Sequence, residues 1–441
     1  MNIVQITPGA GKMFCGGCLR DNALVAALRK LGHSVLMVPL YLPLTLDEED
    51  QSAGTPIFFG GINVYLGEKS HFFRHAPNWL HQFLATPTLL NWASGSAAKT
   101  RAQDLGKITI SMLRGENGHQ ARELNELILW LKQNENPDLI CLSNALLVGL
   151  ARQLKNELRV PILCSLQGED FFIDALPPAQ RERAWQIAAE RAAEVDLFVA
   201  PSRYFANLMS ARLKIPAHKI KIVFNGISLD GWSPTQNSKF KTQNFPTLGF
   251  FARMCCEKGL DTLVEAFIDL KKRGRVQNLK LKIGGSCGSA EQPFVEALRE
   301  RLRAEKILND VEFHPNLSRA DKINFLQSLS VFSVPATYGE AFGLYVIEAL
   351  AAGVPVVQPR HGAFPELIEA TGGGVLCEPN NSQSLADAIE NLLLNEDQAR
   401  QLGETGHKNV FAKFSAEKMA RDMAGIYSEA VAHFSIVNRQ S

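Results

Sequence analysis

Twice along this 441-residue chain, short apolar runs alternate with longer amphipathic stretches, and a polar segment separates the two series. Such alternation marks βα units wound around a parallel sheet. In the first series the strands are expected at Ile3–Ile6, Ser34–Val38, Leu139–Leu142, Ile162–Ser165, Leu197–Ala200 and Ile222–Phe224. Asn22–Leu31 reads as a helix closed by Gly32, a good C-terminal stop. In the second series strands are expected at Leu248–Phe251, Leu279–Ile283, Val311–Phe313, Val331–Val334 and Val354–Val357. Helices are expected at Leu260–Arg273, Gln292–Glu305 and Arg319–Ser328. Thr235–Pro246 between the series is polar and lacks apolar periodicity, which is linker composition.

The expected organisation is therefore an N-terminal α/β domain over 1–235, a linker over 236–246 and a second α/β domain over 247–420. Residues 421–441 read as a C-terminal helix packing back on the first domain. The length exceeds the roughly 250–300 residues at which one core usually divides. Residues 41–121 interrupt the alternation as a helical insertion. It carries Asn78–Leu84 and Leu89–Trp92, with aromatic and apolar residues at helix-like spacing. They suit the insertion's own core; the other reading is an exposed lip for an acceptor or a membrane surface.

Charge narrows the function classes. Lys and Arg total 46 against 45 Asp and Glu, a net charge of +1, which gives no global attraction to nucleic acid. No apolar run reaches the roughly 18 residues of a membrane span. Met1–Pro8 lacks the basic start of a signal peptide, so a cytoplasmic protein is expected, with peripheral membrane contact left open.

The segment Pro335–Val357 carries the most chemistry. An expected strand enters a turn containing Gly339 and Gly343, a helix runs from about Leu344 to Ala352, and Gly353 closes it. A strand, a glycine turn and a helix N-terminus make an anion site, because free backbone N–H groups and the helix dipole face the ligand. A diphosphate suits it. Glu340 precedes the helix and Glu348 lies inside it. Each can accept hydrogen bonds from a vicinal diol; the plainer readings are a helix-start charge and a solvated face.

This segment resembles the signature of the retaining glycosyltransferases of family 4 (group 1), which have the GT-B fold. The likeness covers Glu340, Phe342-Gly343-Leu344, Glu348-Ala349, Gly353 and Pro355-Val356-Val357, and continues through Gly362–Glu366 and Thr371–Gly374 to Glu378-Pro379. It implies two Rossmann-like α/β domains facing across a cleft. It also implies that Glu340 binds the donor sugar, that Glu348 binds the nucleotide ribose, and that backbone N–H groups over Phe342, Gly343, Leu344 and Tyr345 hold the sugar and the diphosphate. Gly249–Leu260 is similar to the family segment whose arginine and lysine grip the diphosphate, roles that fall to Arg253 and Lys258. Two cations beside a leaving diphosphate stabilise the charge that develops as the bond breaks.

Gly16-Gly17 resembles the family's glycine loop beside the donor phosphates. Gly9-Ala10-Gly11 is not a dinucleotide fingerprint, since Phe14 stands where the third glycine would be. Gln167 stands where many relatives carry a histidine that contacts the donor sugar. Glutamine hydrogen-bonds but does not titrate. The resemblance implies a nucleotide-sugar donor, a hexose-type sugar, retained configuration, and an acceptor that is a sugar, a lipid-linked group or a small molecule. No Asp-x-Asp metal motif is present, so no metal and no separate cofactor are expected. A nucleotide-sugar epimerase of the same fold and a non-catalytic nucleotide-sugar binder are the alternatives.

Eight scattered cysteines do not form a disulfide scaffold. Cys15-Gly16-Gly17-Cys18 follows a strand and precedes a helix, which is also the setting of a redox motif. Together with Cys255-Cys256 it is the only material for a zinc site. Packing cysteines are the simpler expectation, and His314 and His361 read as satisfied polar residues.

Overall fold

A computed structural model describes residues 1–9, 15–44, 46, 48–59, 102–232 and 245–440, with side chains at 102–104 and 437–440 left out. The chain divides into two compact units, Met1–Phe224 with Met419–Ser441, and Asn225–Lys418. The aromatic stretches at 78–84 and 89–92, and linker residues 236–244, lie outside the described residues.

The first unit runs β1 (Asn2–Thr7), α1 (Gly16–Lys30), β2 (Ser34–Pro39), α2 (Ala102–Leu113), α3 (Ala121–Asn134), β3 (Leu139–Leu142), α4 (Ala151–Leu158), β4 (Ile162–Ser165), α5 (Glu169–Asp174), α6 (Pro178–Ala192), β5 (Leu197–Ala200), α7 (Arg203–Leu213) and β6 (Ile220–Ile222). Its sheet is parallel in the order β2-β1-β3-β4-β5-β6. Every residue of β3 and β4 is buried, as expected of strands covered by helices on both faces. Full burial of each such aliphatic side chain contributes roughly 1.5–3 kcal/mol.

The second unit runs β7 (Thr247–Phe251), α8 (Leu260–Arg273), β8 (Lys280–Gly285), α9 (Gln292–Ala304), β9 (Val311–Pro315), α10 (Arg319–Gln327), β10 (Val331–Phe332), α11 (Leu344–Ala351), β11 (Val356–Pro359), α12 (Phe364–Thr371), β12 (Gly374–Cys377), α13 (Ser382–Leu394) and α14 (Glu396–Lys413). Helix α15 (Ala416–Gln440) follows, and its residues from Met419 onward belong to the first unit. The second sheet is parallel in the order β12-β11-β10-β7-β8-β9. Among the described residues no helix is long and apolar enough to cross a membrane.

Several elements depart from expectation: β10 ends two residues early, at Phe332, and β11 runs two residues later than expected, over Val356–Pro359. Helix α1 begins at Gly16, six residues before the expected start, so Gly16 and Gly17 are its first turn and not a loop. Strand β6 pairs through Ile220, Lys221 and Ile222, two residues earlier than expected, because Phe198–Ala200 of β5 set its register. Strand β12 was not expected, since Gly372–Gly374 hides the start of a run that pairs with Val356–Pro359.

The order of each sheet also locates its ligand edge. In the second unit the chain leaves β7 toward β8 and β9, then returns to β10 on the other side of β7. Ligands of open α/β sheets bind beyond the carboxyl ends of the strands at such a switch point. The segments leaving β7 and β10 carry Lys258 and Glu340 respectively.

Candidate functional site

Two glycines press the loops of the second unit together. Gly259 has φ +72°, and a Cβ on it would lie 1.9 Å from the Pro335 carbonyl oxygen. Only glycine lets the β7 loop rest directly on the β10 loop. The Thr337 N–H then donates to the Glu257 carbonyl at 3.0 Å. Gly362 has φ +59°, and a Cβ there would stand 2.6 Å from the Glu340 nitrogen. The loop after β11 therefore closes on the Glu340 backbone, and the Ala363 N–H donates to the Glu340 carbonyl at 2.9 Å. His361 Nε2 lies 2.9 Å from the Ala336 carbonyl, the satisfied role expected for it.

These loops bring Lys258 and Glu340 into contact. Lys258 Nζ lies 2.6 Å from Glu340 Oε2, with their side chains 17% and 14% exposed. The same ammonium donates to the Tyr338 hydroxyl at 2.6 Å, and Tyr345 donates to Glu340 Oε2 at 2.7 Å. Tyr338 completes the ring by donating to Glu340 Oε1 at 3.3 Å. Lys258 Nζ also sits 5.0 Å and 5.4 Å from the centres of the Tyr338 and Tyr345 rings, which favours the cation.

Burial alone would lower the Lys258 pKa, but the Glu340 carboxylate outweighs it and raises that pKa above the ordinary lysine value. Burial alone would raise Glu340, but the Lys258 charge and the hydrogen bonds hold it below the ordinary carboxylate value. Burial, reinforced by the Glu340 charge, raises both Tyr338 and Tyr345. At neutral pH the cluster is one ammonium, one carboxylate and two neutral phenols.

Helix α11 opens beside this cluster with Gly343 at its N-cap, and no side chain caps it. The first backbone bond at that end runs from the Val346 N–H to the Gly343 carbonyl at 3.0 Å. The N–H groups of Leu344 and Tyr345 precede that bond at the positive end of the helix dipole, the arrangement that receives anions. One turn further in, Glu348 accepts from Lys322 Nζ at 2.9 Å, the two side chains being 16% and 8% exposed. Arg253 is exposed on the β7 loop, within the electrostatic reach of Glu257 and Glu291.

In the first unit the switch point falls between β1 and β3, and α1 begins beyond β1. A Cβ on Gly17 would lie 3.0 Å from Gln167 Oε1, so the structure brings Gly17 and Gln167 together. The Gln167 amide is anchored, its Nε2 donating to the Ser143 carbonyl at 2.7 Å and to Asp21 Oδ1 at 3.1 Å. A carbonyl only accepts, so that bond fixes Nε2 inward and leaves Oε1 facing Gly17. Glu169 accepts from the Gln167 N–H at 2.6 Å and the Ala145 N–H at 2.9 Å. Burial pushes its carboxyl up to about 7, the backbone donors opposing. Asp21, fully buried, is also raised by burial, against the neighbouring Arg20.

Tyr338 and Lys322 escaped sequence reasoning, and Tyr345 was read only for its backbone. Lys322 left a signal: it shares a helix face with Phe325 and Leu326, where a cation needs a partner. Among the described residues no cluster of three or more His, Cys, Asp or Glu side chains that could hold a metal ion occurs.

Comparison with known proteins decides the family. Residues 234–409 match the model of the Glycosyl transferases group 1, and residues 93–230 match that of Glycosyltransferase Family 4. The chain belongs to the group 1, family 4 glycosyltransferases. This glycosyltransferase is 30% identical over 224 residues to the D-inositol 3-phosphate glycosyltransferase of Corynebacterium jeikeium, a match covering 48% of this chain and 52% of that protein. The chain thus spans about half the length of that relative. Its fold is similar to that of sucrose-phosphate synthase from Thermosynechococcus elongatus, with TM-score 0.70, 19% identity and coverage of 98% and 99%. It is also similar to Anabaena HepE solved in complex with UDP, with TM-score 0.67, 17% identity and coverage of 97% and 100%. With its two parallel six-stranded sheets, the glycosyltransferase has the GT-B fold.

Proposed function

We propose that the chain transfers a hexose-type sugar from a nucleotide diphosphate sugar to an acceptor hydroxyl, with retained configuration and no essential metal. The observation that carries this reading is the Lys258–Glu340 pair beside the open N-terminus of α11, at the switch point of the second sheet. Lys258 has three N–H donors, of which Tyr338 and Glu340 take two, and the third serves a phosphate oxygen. Arg253 and the Leu344 and Tyr345 N–H groups supply the remaining positive field. As the glycosidic bond breaks, charge grows on the diphosphate, and groups already aimed at it lower the barrier.

Glu340, kept ionised by Lys258, accepts from the sugar hydroxyls, and Glu348, steadied by Lys322, accepts from the ribose. Phe342 and Gly343 shape the turn between them. Gly16, Gly17 and Gln167 are assigned to donor binding by the family resemblance, Gln167 as an acceptor through its Oε1. The acceptor is left open among sugars, lipid-linked groups and small molecules, as is peripheral contact with a membrane.

HepE is described with UDP and the corynebacterial relative as an inositol phosphate glycosyltransferase, which favours transfer over epimerisation or silent binding. Calorimetry with UDP- and GDP-sugars in EDTA tests donor binding, and NMR of the anomeric product tests retention. Binding by at least one donor in EDTA and an unchanged anomer support the proposal. Binding that needs a divalent cation, or an inverted anomer, removes that part of it.

A further inference from the structure

Cys15 and Cys18 flank the Gly16-Gly17 pair, and a Cβ on Gly17 would lie 3.8 Å from Cys15 Sγ. Cys15 is the N-cap of α1 and Cys18 its third residue. The Cys15 backbone is extended, and its carbonyl accepts from the Leu19 N–H at 3.0 Å, so Cys15 closes the first turn, to which Cys18 belongs. A disulfide asks for Cα atoms roughly 4.4–6.8 Å apart. Their accessibility is unequal, Cys15 being half-buried and Cys18 2% exposed.

Their chemistry is unequal in the same sense. A hydrogen bond from the Cys18 thiol, with further help from the Cys18 and Gly17 N–H groups, lowers Cys15 to about 7 against burial and the Asp21 charge. The same bond, burial and the Cys15 and Asp21 charges raise Cys18 far above the ordinary thiol value. The other six cysteines are all raised, chiefly by burial. The nucleophile in thiol–disulfide exchange is the thiolate.

We propose that Cys15 and Cys18 form a redox-active dithiol, with Cys15 the attacking sulfur and Cys18 the resolving one, whose partner is a low-molecular-weight disulfide such as glutathione disulfide. The Cys15 thiolate attacks one sulfur of that disulfide; its S–S bond breaks, one thiolate leaves, and a mixed disulfide stands on Cys15. Cys18 then gives its proton to solvent and attacks the Cys15 sulfur, expelling the second thiolate. Two protein thiols are oxidised to one disulfide, and the external disulfide is reduced to two thiols. None of this depends on the glycosyl-transfer reading.

The test is a redox titration of the full chain at pH 7 with reduced and oxidised glutathione, followed by alkylation and peptide mapping. A Cys15–Cys18 disulfide that forms and is lost reversibly supports the proposal. In Cys18→Ser the reaction is expected to stop with glutathione on Cys15. In Cys15→Ser, Cys18 is expected to stay reduced. Cys15 should also react with iodoacetamide about tenfold faster than the exposed Cys256 at pH 7, its larger thiolate fraction being partly offset by lower nucleophilicity. If Cys256 takes up glutathione while no Cys15–Cys18 disulfide appears at any ratio, the proposal is wrong. Equal alkylation of Cys15 and Cys256 would also overturn it. If a variant fails to fold, the mapping of the natural chain decides alone.

Discussion

Lys258 Nζ sits 2.6 Å from Glu340 Oε2 across 82 residues of sequence, and each of the two keeps the other ionised in a half-buried setting. Removing one partner leaves an uncompensated charge among Tyr338 and Tyr345. Lys258→Ala and Glu340→Ala should each lower the melting temperature, and the double variant should lose less than the two losses added. A double-mutant cycle by chemical denaturation measures this. Coupling of at least about 0.5 kcal/mol is expected; strict additivity would mean the contact contributes nothing.

The clamp on this pair depends on Gly259. Gly274 is its internal control, with φ +67° and open space where a Cβ would go. Gly274→Ala should cost only the left-handed backbone penalty, roughly 1–2 kcal/mol. Gly259→Ala adds a collision with the Pro335 carbonyl and should cost clearly more, while weakening donor binding. Urea denaturation of both variants checks the ranking.

Stability should carry two opposite pH signatures. Glu340 is depressed in the folded state, so its contribution is present above the unfolded carboxylate value of about 4.5 and is lost as pH falls through the lower folded value. Glu169 is raised to about 7, so its contribution is full below about 4.5 and is lost as pH rises toward 7. Glu169→Gln should therefore flatten the stability profile between about pH 4.5 and 7. Denaturation at several pH values in that window reads it directly, and an unchanged slope would contradict the assignment.

Gln167 offers a comparison of substituents. Its Nε2 donates to a carbonyl and to Asp21. Histidine can still donate there, so Gln167→His should fold, retain activity and acquire a titration near pH 6–7. Gln167→Glu places an acceptor against the Ser143 carbonyl and a second carboxyl beside Asp21, and should cost roughly 1–3 kcal/mol of stability. Thermal unfolding and a pH–rate profile of both variants check this. The order reversed would show that the amide faces the other way.

Much of this was legible in the sequence for physical reasons. Doubly covered strands such as Leu139–Leu142 and Ile162–Ser165 must be apolar throughout, and they stand where expected. The turn ending at Gly343 and the helix from Leu344 were legible because a helix start has its own chemistry. What was not legible depends on partners distant in sequence. Cys15-Gly16-Gly17 has poor helix propensity and looked like a loop, yet the first turn of α1 forms there. Strand β12 begins on the last of three glycines and takes its pairing from β11. Tyr338 looked like any loop tyrosine until Lys258 was placed against its hydroxyl.

The most direct test of the central claim is release of nucleotide diphosphate from a panel of UDP- and GDP-sugars by the natural chain, Lys258→Ala and Glu340→Gln. The account predicts release from at least one donor by the natural chain. It predicts a fall on the order of 30- to 1,000-fold in each variant, equivalent to about 2–4 kcal/mol of lost transition-state stabilisation, with circular dichroism unchanged. Equal release by all three proteins, or no release and no binding of any donor by the natural chain, would contradict it.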